Sequence, residues 1–237
     1  MSSNASSLPI ILALDTCTEN CSAALQTATG QWAERVDAPR EHSQRLLPMV
    51  QGLLQQAEIG MKDVGLIAYG RGPGSFTGIR ICTSMTQGLA LAREIPVIGI
   101  STLAAMAQQA ISEHGAEQVL CAIDARMSEV YWAAFKAVDG MAVEVTPEQV
   151  SVPDAVTVPF ENATAIYCCG TGFETYPDLL QLKPKQQLLE AVKYPDASAM
   201  LALAVRGFVA GEATSVDDLK PVYLRDTVAW KKLPGRE

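Results

Sequence analysis

Histidine is nearly absent from this 237-residue chain: there are two, His42 and His114, with no H-x-x-x-H or H-E-x-x-H around either. Zinc and non-haem iron centres gather His, Cys and carboxylate ligands at short spacings, so this scarcity argues against such a metal site. Six cysteines are present (Cys17, Cys21, Cys82, Cys121, Cys168, Cys169), without a CxxC pair or the rhythm of a disulfide framework. Most fall inside apolar strand or helix patterns, where a free thiol packs as a small hydrophobe. Charge is also sparse at 19%, and its balance is acidic, 18 Lys+Arg against 26 Asp+Glu for a net charge of -8. That argues against a self-sufficient nucleic-acid binder, because neutralising phosphates takes a basic face. The longest apolar runs, residues 8–14 and 199–205, are seven residues each, too short to cross a bilayer. The opening MSSNASSLPI has no basic n-region of a secretion signal. What the chain does have is 49% hydrophobic residues, enough for a sizeable core. The expectation is a soluble, cytoplasmic protein.

Residues 8–14 form a buried strand pattern ending at Asp15. Residues 21–27 and, past a turn at Gly30, residues 32–38 complete an antiparallel meander. Residues 42–59 carry apolar side chains at helical spacing up to Gly60. Pro48 suits a first turn better than an interior, so this helix is expected to begin near residues 43–45. A strand at 64–69, a helix at 77–94 and a strand at 96–100 bring the first half to βββαβαβ. The second half repeats the theme: a helix at 101–113 stopped by Gly115, a strand at 118–123 ending at Asp124, then strands at 129–138 and 141–145. ILALDT at the head of the first meander matches LCAIDA at the head of the second, about a hundred residues on. Two matched meanders point to an internal duplication. Residues 147–164 read as irregular, 165–169 as a strand before the turn Gly170-Thr171-Gly172, and 196–210 as a capped helix ending at Gly211. Residues 225–237 are locally basic.

The most specific segment is GRGPGSFTGIR, residues 70–80, between a predicted strand and helix. Its glycines allow close backbone approach, and amides at the helix start could cradle an anion. A tight turn that packs helices and sheet together is the competing reading. The run fits neither a P-loop nor G-x-G-x-x-G, and Ser75 is not centred in a nucleophile elbow. Asp15 and Asp124 each end a strand at a polar turn, and in a duplicated nucleotide-binding fold they would face one Mg-nucleotide from two sides. The turns that follow, residues 16–20 and 125–128, contain no glycine to wrap phosphates. The helix at 42–59 is broadly apolar (Leu46, Leu47, Val50, Leu53, Leu54), and that at 77–94 sets Gly78, Ser84 and Gly88 among Ile81, Met85 and Leu89. Small residues on one stripe admit another helix closely. Packing on the chain's own sheet and packing on a partner both satisfy this pattern.

The runs ILALDTCTENCSAAL, HSQRLLPMV, GRGPGSFTGIR, IPVIGISTLAAMA and AIDARMSEVYWAAF together resemble the TsaB (YeaZ) family over nearly the whole chain. The resemblance implies an α/β ASKHA (actin-like ATPase) fold, two ribonuclease-H-like lobes around a cleft. On this division residues 1–103 form the first lobe, 104–225 the second and 226–237 a mobile basic tail. It implies a bacterial accessory subunit, not itself an enzyme, required for threonylcarbamoyladenosine modification of tRNA next to the anticodon. The paralogue TsaD performs the transfer with a metal held by H-x-x-x-H. Here the stretch after IPVIGI runs from Ser101 to Met106 without histidine, so that site is not carried over. The expected partners are TsaD as heterodimer, TsaE docking at the heterodimer, a homodimer when alone, and tRNA only within the complex, with no membrane. The implied interface comprises Leu46, Leu47, Val50, Leu53 and Leu54 on one helix and Ile81, Ser84, Met85 and Gly88 on the other. No metal, catalytic residue or cofactor is expected; a nucleotide held weakly in the cleft would meet Asp15, Asp124, Gly170 and Gly172. Two rival readings stay open: an active ATPase, kinase or glycoprotease-like metallopeptidase, and a stand-alone homodimeric binding module.

Overall fold

The computed structural model describes residues 8–225. Strands β1 (Ile10–Asp15), β2 (Asn20–Gln26) and β3 (Gln31–Asp37) form the first meander. Helix α1 (His42–Gln56), strand β4 (Val64–Gly72), helix α2 (Phe76–Leu91) and strand β5 (Val97–Ser101) complete the first half. Helix α3 (Thr102–His114) leads to β6 (Gln118–Arg126), β7 (Glu129–Val138), β8 (Met141–Glu144) and β9 (Gln149–Ser151). Strand β10 (Ile166–Cys169), the single turn α4 (Gly172–Thr175), strand β11 (Gln186–Leu188) and helix α5 (Ala197–Val209) follow.

The first sheet has the order β3-β2-β1-β4-β5 and the second β8-β7-β6-β10-β11, with β9 added beside β7. Strand senses correspond as well: β1 is antiparallel to β2 and parallel to β4, as β6 is antiparallel to β7 and parallel to β10. The same order and sense twice over is the duplication expected from ILALDT and LCAIDA. It is the two-lobed ASKHA architecture.

Period-two alternation sends neighbouring residues of β1 to different cores. Leu12 and Leu14 join Leu46, Val50 and Leu53 of α1 on the outer side, whereas Ile11 and Ala13 face α3 and α5. These two helices lie between the sheets, meeting Val119, Cys121 and Ile123 of β6 on the far side. A helix squeezed between two sheets is buried nearly all round, which explains the alanine-rich α3. Ser101 caps it by accepting from the Ala104 amide at 3.0 Å, and Gly115 ends it with φ +64°. Asp196 caps α5, which is tied back to β2 where the Ala197 amide donates to Ser22 Oγ at 3.0 Å. On the outer face of the second sheet Trp132, Phe160, Phe173 and Leu179 fill the core in place of long helices.

Two details differ from the sequence reading. Helix α1 begins at His42, because the Glu41 carbonyl already accepts from the Gln44 and Arg45 amides, and Pro48 lies within it. Pro48 and Gln44 are both exposed, so the carbonyl left without an amide is on the solvent side of the helix. Strand β9 falls within residues 147–164, expected to be irregular, and β11 in a stretch to which the sequence reading assigns no element; each is three residues long and is defined by its neighbours β7 and β10. The basic segment 226–237 lies outside the described residues. Among the described residues no helix is long and apolar enough to cross a membrane.

Candidate functional site

The duplicated strand ends place Asp15 and Asp124 at equivalent turns. In each, the aspartate Oδ1 accepts the amide two residues on, Cys17 at 3.0 Å and Arg126 at 2.9 Å. Their surroundings then diverge. Asp15 is fully buried and its Oδ2 has no partner among the described residues. Burial pushes its pKa up to about 7, against the opposing pull of the Cys17 amide.

What covers it is the glycine-rich loop. A β-carbon built on Gly70 would lie 2.0 Å from Asp15 Oδ2, and one on Gly78 would lie 2.0 Å from the Thr16 carbonyl oxygen. The loop is stitched to the same turn: Thr16 Oγ1 donates to the Gly78 carbonyl at 2.7 Å, and the Ser75 amide donates to the Cys17 carbonyl at 2.7 Å. Ser75 Oγ accepts from the Gly78 amide as the N-cap of α2. Close approach is therefore what these glycines provide, the packing reading of GRGPGSFTGIR.

Asp124 faces outward. Its Oδ2 accepts from Arg126 Nη1 at 2.9 Å, and Arg126 Nη2 reaches Glu19 Oε1 at 3.0 Å on the β1–β2 turn of the other half. Arg126, Met127 and Ser128 all have positive φ, a tight turn at the mouth of the cleft. The chain returns here after α5. Tyr69 Oη accepts from the Lys220 amide at 3.1 Å, and the Val222 amide donates to the Arg71 carbonyl at 2.7 Å. Arg225 then donates to the Ala125 carbonyl at 3.0 Å and pairs with Glu129. A second tie between the halves joins Arg71 to Glu148 at 3.1 Å.

The cleft so framed holds a cavity of about 610 Å³, with Thr18, Ser75, Phe76, Asp124, Tyr131 and Tyr223 among its walls. Asp124 is the one nucleotide-cleft candidate that lines it. The expectation that Asp15 faces the same space is corrected: the loop seals it beneath the β1–β2 turn. Gly170 and Gly172 pack against Ala122 instead of lining the cavity, and Thr171 Oγ1 accepts the Asp124 amide at 3.0 Å. Sequence reasoning missed Glu19, Arg126 and Tyr223. Only Arg126, two residues after Asp124, carried a local signal.

The helix pair needs a correction too. Leu46, Val50, Leu53 and Leu54 are buried against the chain's own first sheet, so they are core and not free surface. Leu47, Ser84 and Gly88 are exposed, and Ile81 and Met85 half-buried. A β-carbon on Gly88 would meet nothing within 4 Å. A groove of about 330 Å³ lies at this face, lined by Ser43, Phe76, Arg80, Ile81, Ser84 and Met85, with Thr77. Among the described residues, no three His, Cys, Asp or Glu side chains converge as metal ligands would. The segment Thr102–Met106, where the paralogue would place histidines, starts α3 and is mostly buried between the sheets.

A family model described as TsaD, tRNA N6-adenosine threonylcarbamoyltransferase, matches residues 36–233. The tRNA threonylcarbamoyladenosine biosynthesis protein TsaB of Escherichia coli K12 is 45% identical over 234 residues, covering 96% of this chain and 99% of that protein. TsaB of Haemophilus influenzae is 40% identical over 235 residues, 96% of this chain and 98% of that protein. The solved structure of YeaZ from Pseudomonas aeruginosa superposes with a TM-score of 0.86 at 42% identity, over 92% of this chain and all of that one. Likeness of this extent runs through both halves, and it makes the chain a member of the TsaB (YeaZ) family.

Proposed function

We propose that the chain is a non-catalytic scaffold subunit for threonylcarbamoyladenosine modification of tRNA, working in the cytoplasm. It binds TsaD through the exposed face of α1 and α2, brings TsaE to that heterodimer, pairs with itself when alone, and meets tRNA only inside the complex. One observation carries the non-catalytic reading: neither strand-end aspartate offers a free carboxylate to the cleft. Asp15 is covered by Gly70, and Asp124 is neutralised by Arg126. A magnesium-nucleotide site needs exposed carboxylate oxygens to hold the ion directly or through water. The name shared by the relatives supports the pathway. The exposed apolar and small residues of α1 and α2 support the docking face, and no cofactor of the chain's own is required.

The test is reconstitution. Modification of tRNA by TsaD and TsaE should depend on adding this chain, and Asp124→Asn should support it as well as the wild type. The chain alone should neither hydrolyse ATP nor cleave peptides. Loss of modification with Asp124→Asn while the complex still assembles, or ATP hydrolysis by the isolated chain, would refute the scaffold reading.

A further inference from the structure

Phe76 opens α2 with 56% of its surface exposed. One turn along, Arg80 lays its guanidinium carbon 3.9 Å from the ring centroid, and the Tyr223 ring lies 5.4 Å away, tilted by 50°. Phe76 lines both the interlobe cavity and the groove beside α1, so the ring is their common wall. Ile81 and Met85 give the groove an apolar lining, and Arg80 is the one charged residue among those lining it. Among the described residues Arg80 makes no ion pair, as holds for Arg40, Arg93 and Arg206, whereas Arg35, Arg45, Arg71, Arg126 and Arg225 each pair with a carboxylate. Stacking on an aromatic face restrains a guanidinium and leaves its edge donors open to a planar anion.

We propose that this corner recognises a carboxylate on the docking partner: a helix that sets an apolar side chain in the groove and presents Asp or Glu to Arg80. The inference rests on the α1–α2 face being the docking surface and specifies what the partner must carry there. Charge complementarity selects the occupant, since the groove offers one cation, no acid and an apolar lining. A nucleic-acid backbone would call for several cations together, and this chain has a net charge of -8.

The experiment titrates the full chain against TsaD by calorimetry at two salt concentrations. Arg80→Glu should weaken pairing by roughly a hundredfold and Arg80→Lys by about tenfold, both with a shallower salt dependence. Melting temperatures should hold, because Arg80 is exposed. Reversing one acidic residue of TsaD to arginine should restore pairing with Arg80→Glu. Gly88→Leu serves as the control for the face. Pairing abolished by Gly88→Leu but unchanged by Arg80→Glu overturns carboxylate recognition and leaves the docking face standing; pairing unchanged by either removes the face itself. An Arg80→Glu variant that pairs normally but weakens tRNA binding by the assembled complex shows a phosphate contact and overturns the proposal. One that loses only self-association does so in favour of a second copy.

Discussion

Asp15 Oδ2 occupies the space that a β-carbon on residue 70 would need, 2.0 Å from where that carbon would stand. Neither group has room to yield, because Asp15 is fully buried and Cys17 Sγ lies 2.9 Å from the same point. Gly70→Ala should therefore destabilise the fold by about 1–3 kcal/mol, read as a lowered denaturant midpoint. Combining it with Asp15→Ala should cost less than the sum of the two single changes, because the pair shares one space. Strict additivity would show that the clash lies elsewhere.

The same burial sets a pH dependence. In the unfolded chain Asp15 loses its proton near the ordinary value of 3.8, and in the folded protein near about 7. Between those values the folded state holds a proton that the unfolded state has released. Stability contributed by protonated Asp15 is thus complete below about 4, falls as pH rises through the window, and levels off above about 7. The full swing is on the order of 4 kcal/mol. Chemical denaturation from pH 4 to 8 should show this decline, and Asp15→Asn should flatten it. An identical slope in the variant would assign the dependence to other groups.

Gly88→Leu should melt at or above the wild-type temperature, since the site opens to solvent and leucine is the better helix former by about 1 kcal/mol. Pairing with TsaD should weaken by about tenfold or more through overpacking at the interface. Thermal melting and analytical ultracentrifugation read the two effects separately.

The two arginines at the cleft mouth should differ in weight. Arg126 is 73% exposed in its side chain, so Arg126→Ala should change stability by less than about 1 kcal/mol despite its two carboxylate partners. Arg225 is 18% exposed and donates to the Ala125 carbonyl as well as pairing with Glu129. Arg225→Ala should cost about 1–3 kcal/mol. Equal effects in parallel melts would mean that burial does not govern these contacts.

The duplication was legible because its signal is local: a buried strand, an aspartate and a polar turn, twice. Cap residues were legible for the same reason, and Ser101, Gly115 and Asp196 stand where a helix needs them. The surface of α1 was not. Periodicity shows that Leu46, Leu47, Val50 and Leu53 share an apolar helix, but which of them the chain's own sheet covers depends on where that sheet lies. Asp15 and Gly70 are likewise far apart in sequence, and only the pairing of β1 with β4 places one over the other. Tyr223 reaches the cleft through a chain return that no periodicity announces.

Helices α3 and α5 serve both sheets at once. Each half has an outer core of its own, but the inner faces of the two sheets share one, and α5, residues 197–209, covers strands made at the start of the chain. During synthesis the first sheet must wait with Ile11, Ala13 and Ala24 uncovered until almost the whole chain has emerged. A fragment ending at Gly115 should consequently aggregate instead of folding. In the complete protein, heating should unfold both halves in a single calorimetric transition.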